Sequence, residues 1–334
     1  MKQMNIRGGR VNRSRLTNRL LDSAPQAGGG LNEWLARGAR MTSDLEPNES
    51  FNLLAEVVDV KGGKHDARAI WRAINKIRGT DYNGPSKPKW PEPKLGLIEQ
   101  ITLNHIWDIP SALATLENRS PEHRLDKLST DQIIRRLFPA DALLSVGFDT
   151  SSTSVSPLSG IKNLHKFPLI VPSPMLASFG LTKEGKQSGR CLDNTGPRRF
   201  LITEFDFKPT DKQGNPSIWA ALIELWKAHG MTVQDAAAAI ILHLAQYGPL
   251  VMVVYSGSVS LHAWWLTAGC SEDEGSGLNY FMRYAAQLGA DTATYTRSQF
   301  VRMPMAVRPD TNKQQAVHFL NFEKLTRKGN NNGN

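Results

Sequence analysis

Leu250-Val-Met-Val-Val-Tyr255, Ser256-Gly-Ser-Val-Ser260 and Leu261-His-Ala-Trp-Trp-Leu266 are consecutive, and together they decide the fold. The first segment is apolar and rich in β-branched residues, the mark of a buried strand. Gly257-Ser258 supplies a tight turn, and Val259 to Leu266 returns as the second strand of a hairpin. Alternation puts Ser258, Ser260 and His262 on one face and Leu261, Ala263 and Trp265 on the other. It also sends one indole of Trp264-Trp265 to each face.

Working outward, Phe200-Leu-Ile-Thr-Glu-Phe-Asp206 is a third strand with two acids at its end. Two helices are predicted between it and the hairpin. One opens at Asn215-Pro216 and stops at Gly230 after His229. The other starts on the capping box Thr232-Val-Gln-Asp235 and runs through Ala245 to Gly248. Leu278 to Leu288 predicts a further helix, and Gln299 to Val307 and Ala316 to Phe322 two more strands. Leu143 to Val146 and Phe167 to Val171 are short buried strands. Helices interleaved with hairpins mean α+β, not a doubly wound parallel sheet.

The first 130 residues differ in texture. Ala67 to Ile77 and Ser129 to Leu137 have helical spacing, and Gly84 to Pro93 is Pro-rich linker. Residues 46–130 are therefore expected to be an accessory, mainly helical region, 131–323 the main folded core and 324–334 a loose tail. Of 334 residues, 40 are Lys or Arg and 31 Asp or Glu, for a net charge of +9. Residues 1–40 alone carry +6 of it. With Gly and Asn interspersed, residues 1–45 predict a flexible basic arm whose Arg7, Arg10, Arg13, Arg15 and Arg19 suit a nucleic-acid backbone. A solvated terminus and an organelle transit peptide fit the same composition. No stretch approaches the roughly 20 apolar residues of a membrane span. Two cysteines make neither a disulfide framework nor a four-cysteine zinc site, and with no apolar signal core a reducing compartment is expected.

Chemistry concentrates after residue 200. Glu204 and Asp206 share a strand face, and paired carboxylates repel unless a cation lies between them. Mg²⁺ takes carboxylate oxygens and leaves room for substrate phosphates. Two solvated acids at a strand end are the plain alternative. The row Ser258, Ser260, His262 beside a Gly turn offers hydroxyl, imidazole and N–H donors to a phosphate chain. Asp291, in Gly289-Ala-Asp291, is a third candidate carboxylate. Arg302, in Arg297-Ser-Gln-Phe-Val-Arg302-Met-Pro304, suits phosphate charge, with Arg308 beyond it. Gly180-Leu-Thr-Lys-Glu-Gly185-Lys186-Gln187 is one residue short of a P-loop and ends in Gln, so it is taken as a basic loop. His243 and His318 are expected to be structural.

The ordered set resembles the archaeo-eukaryotic primase superfamily, in its primase–polymerase branch of phage and plasmid replication proteins. That family's motifs are a strand ending D-x-D or D-x-E, then s-x-H, then an apolar residue followed by D. Here they are Glu204-Phe-Asp206, Ser260-Leu-His262 and Ala290-Asp291, and Gln299-Phe-Val-Arg-Met-Pro304 is similar to the family's Arg-bearing strand. The resemblance spans about residues 135–322. It implies an RRM-like antiparallel sheet flanked by helices and template-directed nucleotidyl transfer, with Glu204, Asp206 and Asp291 holding Mg²⁺ or Mn²⁺. Ser258, Ser260, His262 and Arg302 would bind the incoming NTP or dNTP on a single-stranded DNA template. It also implies a bacterial cytoplasm, a phage or plasmid origin, and any replicative helicase on a separate protein. A non-catalytic nucleic-acid-binding replication protein of the same fold is the alternative, and a metal-dependent nuclease a third reading. Glu204 stands where the family usually has Asp; it is one methylene longer, so its carboxylate must fold back to reach the same ion.

Overall fold

The computed structural model describes residues 13–24, 31–61, 67–79, 90–105, 111–182 and 185–325. The chain divides into two compact units, Met1–Lys89 and Trp90–Asn334. No helix among the described residues is long and apolar enough to cross a membrane.

The first unit is helical: α1 (Arg13–Ser23), α2 (Leu31–Met41), α3 (Pro47–Val60) and α4 (Ala67–Arg78). Leu16 and Leu20 on α1 and Trp34, Leu35 and Ala39 on α2 are buried with Leu54, Val57, Ile70 and Ile74. Residues expected to form a flexible arm therefore include two amphipathic helices. The four-residue spacing of Leu16 and Leu20 carries a core-facing stripe that the arginines around them, Arg13, Arg15 and Arg19, mask in the sequence. Arg19 is exposed on α1, while Arg7 and Arg10 lie outside the described residues.

The second unit opens with α5 (Leu95–Leu103), α6 (Ala112–Asn118) and α7 (Thr130–Leu137). A Ser129/Gln132 capping box starts α7. Short strands follow: β1 (Leu143–Gly147), β2 (Ser154–Pro157), β3 (Leu169–Ile170), β4 (Gly180–Leu181) and β5 (Gln187–Ser188). Next come β6 (Phe200–Phe205), α8 (Ala220–Ala228), α9 (Val233–Leu244), β7 (Leu250–Tyr255), β8 (Leu261–Leu266) and α10 (Gly277–Gln287). The unit ends with β9 (Val301–Arg302), β10 (Val307–Arg308), β11 (Lys313–Gln314) and β12 (Val317–Leu320).

The expected boundary near residue 130 is not where the chain divides. Ile98, Ile101, Ala112 and Leu116 share a core with Trp226 and α9. The Trp226 indole N–H donates to Thr102 Oγ1 at 2.9 Å, and Lys94 N–H to the Gln287 carbonyl at 2.8 Å. Short helices of this kind bury their apolar stripe only against a partner, and that partner lies over 100 residues downstream.

The main sheet has the strand order β12-β7-β8-β6, every pair antiparallel. One face, through Leu201, Phe205, Leu261, Ala263 and Trp265, packs on α5, α6, α8, α9 and α10. The other, through Phe200, Ile202, Val254 and Trp264, packs on α7 and on a second antiparallel sheet, β2-β1-β3-β9. A sheet buried on both faces explains why the strands are near-continuous apolar runs. The chain is α+β. The single strand expected over Gln299 to Val307 is two short pieces, because Pro304 lacks an N–H and Met305 has φ of 63°.

Candidate active site

Register builds the site. Glu204 on β6 lies directly opposite His262 on β8, and His262 opposite Val254 on β7. Carried one step outward, the same register sets Asp206 opposite Ser260. Ser256 joins that row through its N–H to the Ser260 carbonyl, 2.9 Å. Val317 pairs Val254, and Tyr255 N–H donates to the Ala316 carbonyl at 2.7 Å, so Gln315 falls opposite Ser256. The sheet end facing the second sheet thus carries Glu204 and His262 in one row and Asp206, Ser260, Ser256 and Gln315 in the next.

Ser260 Oγ donates to Glu204 Oε1 at 2.9 Å, and His262 Nε2 lies 3.4 Å from the same oxygen. Burial pushes the Glu204 carboxyl up, but the His262 imidazole, the Ser260 hydroxyl and Arg302 outweigh it and bring it to about 2. His262 Nδ1, Ser256 Oγ and both amide atoms of Gln315 are buried without a hydrogen-bond partner. Unsatisfied buried polar atoms are costly in a fold that has no use for them.

Asp206, one residue past β6, pairs with Lys208 Nζ at 2.5 Å. Asp291 is brought to the free edge of β6: its N–H donates to the Glu204 carbonyl at 2.8 Å. Thr294 Oγ1 binds the Ile202 carbonyl at 2.9 Å and holds the following turn along the same edge. The Asp291 carboxylate accepts from Ala293 N–H at 2.9 Å. Gly289, at φ 90°, makes the approach possible, since a Cβ there would lie 2.9 Å from the Trp219 ring.

Cations face these acids. Arg302, on β9, is lowered by burial and by the like charge of Arg308, and raised by Glu204 and Asp310. Arg308 forms a two-point pair with Asp310, 2.6 and 2.8 Å, and is raised by it and also by Asp206 and Glu204. The β10–β11 hairpin that carries Arg308 packs on the β7–β8 turn: Thr311 Oγ1 donates to the Gly257 carbonyl at 2.9 Å. Gly257 has φ of 77°, and an added Cβ would meet Arg308 Cβ at 3.1 Å.

Several expectations are refined. The turn runs from Ser256 to Ser260, and the return strand starts at Leu261, not Val259. Ser258 therefore sits in the turn, where its carbonyl accepts from the Tyr255 hydroxyl at 2.5 Å. Both tryptophans are buried, one on each face of the sheet, with Trp265 donating to Thr203 Oγ1. Gly180, Leu181 and Gln187, at the ends of the stretch expected as a loop, belong to the paired strands β4 and β5. His243 meets the Tyr284 hydroxyl at 2.7 Å and His318 the Glu117 carboxylate at 2.7 Å. Gln315 and Ser256 escaped the sequence reading. Counting by twos back from Val317 flags Gln315 once the β12–β7 register is known.

No family model matches the chain, and no curated protein does. A solved structure, the AEP domain of the cyanophage S-2L primase–polymerase, is similar over 57% of this chain and 89% of its own, at 15% identity and a TM-score of 0.32. A likeness at that level carries no argument about activity.

The donor set can therefore be judged on its own geometry. Among the described residues no group of three or more His, Cys, Asp or Glu side chains is set to hold a metal. Asp206, just past β6 and within the field of Arg308, and Asp291, docked on the β6 edge, remain as hard-oxygen donors. Carboxylate oxygens are the donor type that a divalent ion of the Mg²⁺ kind takes, one or two of them, with substrate phosphate and water completing its shell.

Proposed function

We propose that this chain is a template-directed nucleotidyltransferase, a primase–polymerase acting in phage or plasmid replication. One observation carries the reading: Glu204 and Asp206 share a sheet end with Ser260 and His262, while Arg302 and Arg308 face them from other strands. Acids for a cation and cations for phosphate meet there, as phosphoryl transfer requires.

Asp206 and Asp291, joined by Glu204 in the family pattern, would hold Mg²⁺ or Mn²⁺. Bound there, the ion would acidify an attacking 3′-hydroxyl and steady the departing pyrophosphate. Arg302 and Arg308 neutralise the triphosphate, and their mutual repulsion falls when an anion lies between them. His262 and Ser260 orient the phosphate chain, with Ser258 at the turn. The substrates are NTPs or dNTPs on single-stranded DNA. Arg7, Arg10, Arg13, Arg15 and Arg19 belong to a segment that tracks the template backbone, and the catalytic centre belongs to the second unit. A bacterial cytoplasm is the setting.

The test is extension on single-stranded DNA with labelled NTPs or dNTPs and Mg²⁺ or Mn²⁺, with and without primer. Wild type should give product, and Asp206→Ala should lower it at least about 100-fold, the scale of lost transition-state charge stabilisation. A second reading, a non-catalytic nucleic-acid-binding protein, is favoured by one feature: Ser260 already occupies the Glu204 carboxylate. Salt-sensitive DNA binding with no product in any lane would select it.

A further inference from the structure

Glu204, Ser260 and His262 close a triangle. Ser260 Oγ lies 2.9 Å from Glu204 Oε1, His262 Nε2 lies 3.4 Å from that oxygen, and the hydroxyl and the imidazole nitrogen are 3.5 Å apart. All three sit on neighbouring positions of the β6–β8 pair, with His262 and Ser260 buried. The other acids are held differently. Asp206 is paired with a lysine whose side chain is 57% exposed, and Asp291 is exposed and accepts one local backbone N–H. Water or an ion can replace a surface lysine at small cost, since exposed ion pairs are weak. Replacing a buried hydroxyl and an imidazole would leave both short of a partner.

The extra methylene of Glu explains the difference. It lets the carboxylate fold across the strand pair onto Ser260 and His262, where an Asp carboxylate on the same backbone falls about one bond short. We propose that Glu204 is a positioning residue that holds Ser260 and His262 against the incoming triphosphate, and that cation binding falls to Asp206 and Asp291. This rests on the nucleotidyltransferase reading above. It separates this chain from the pattern in which the first acid is a metal ligand.

The two roles order the conservative variants oppositely. A ligand needs charge, so Glu204→Asp would be tolerated better than Glu204→Gln. A positioning residue needs reach and an acceptor, so Glu204→Gln would be tolerated better than Glu204→Asp. Mn²⁺ binding, followed by electron paramagnetic resonance, and ATP binding, followed by calorimetry, would be measured on the full chain. Glu204→Gln should keep Mn²⁺ affinity within about 3-fold of wild type, while Asp206→Asn weakens it at least about 10-fold. ATP binding should be near wild type in Glu204→Gln, which keeps an acceptor oxygen in reach of Ser260, and about 10-fold weaker in Glu204→Asp, the loss of one hydrogen-bonded contact. Ser260→Ala should match that loss, which keeps the test informative if an acid variant folds poorly. Loss of Mn²⁺ binding in Glu204→Gln equal to that in Asp206→Asn, or the reverse ranking on ATP, would overturn the proposal. A wild-type chain that binds neither probe would overturn the nucleotidyltransferase reading with it.

Discussion

Glu204 makes its surroundings depend on pH. Its carboxyl is held at about 2 against an ordinary value of 4.5, burial being outweighed by His262, Ser260 and Arg302. A depressed carboxyl contributes stability that is complete above pH 4.5 and is lost as pH falls toward 2. The shift corresponds to on the order of 3 kcal/mol at most. Urea unfolding at intervals from pH 6 to pH 2 should show wild type losing stability across that window and Glu204→Gln losing less. Parallel curves would show that the triangle contributes nothing to folding. At this scale alternation alone put Ser260 and His262 on the face that proves to hold Glu204. The contacts themselves could not be read from spacing, because the pairing of β6 with β8 joins residues 58 positions apart.

Among the elements, the β7–β8 turn and the β10–β11 hairpin depend on one glycine. Gly257 adopts φ of 77°, and a Cβ there would press on Arg308 Cβ at 3.1 Å and the Lys313 carbonyl at 3.2 Å. A β-branched residue is strained in that conformation before any contact is counted. Gly257→Val should therefore cost about 2 kcal/mol or more in urea unfolding, the sum of backbone strain and crowding. It should also raise amide hydrogen exchange across Val307 to Gln314. Unchanged exchange there would mean the hairpin does not depend on the turn. The Gly-Ser signal was legible as a turn, but its length was not. Ser256 to Ser260 stays out of the ladder, where Thr311 caps the Gly257 carbonyl.

For the whole molecule, the division at Lys89 and Trp90 makes a prediction of its own. Residues 90–334 bury a continuous core through Ile98, Leu116, Trp226 and Trp265, so they should unfold cooperatively when produced alone. On single-stranded DNA the shorter chain should show a shallower salt dependence, by about 0.7 in the log–log slope for each phosphate contact removed. An unchanged slope would take the basic N-terminal segment out of template binding.

Local chemistry, acting within a turn or a strand, was enough for the sequence by itself to determine the α+β class, the β7–β8 hairpin, the Thr232/Asp235 cap of α9 and the shared face of Ser260 and His262. The tertiary structure alone decided that α5 and α6 join the second unit, that Asp291 docks on the β6 edge, and that Arg308 and Gln315 close on the site. Each of these depends on which apolar faces find one another across 50 to 200 residues of chain. Burial is non-directional, so hydrophobic patterning tells that a face is covered and leaves open by what.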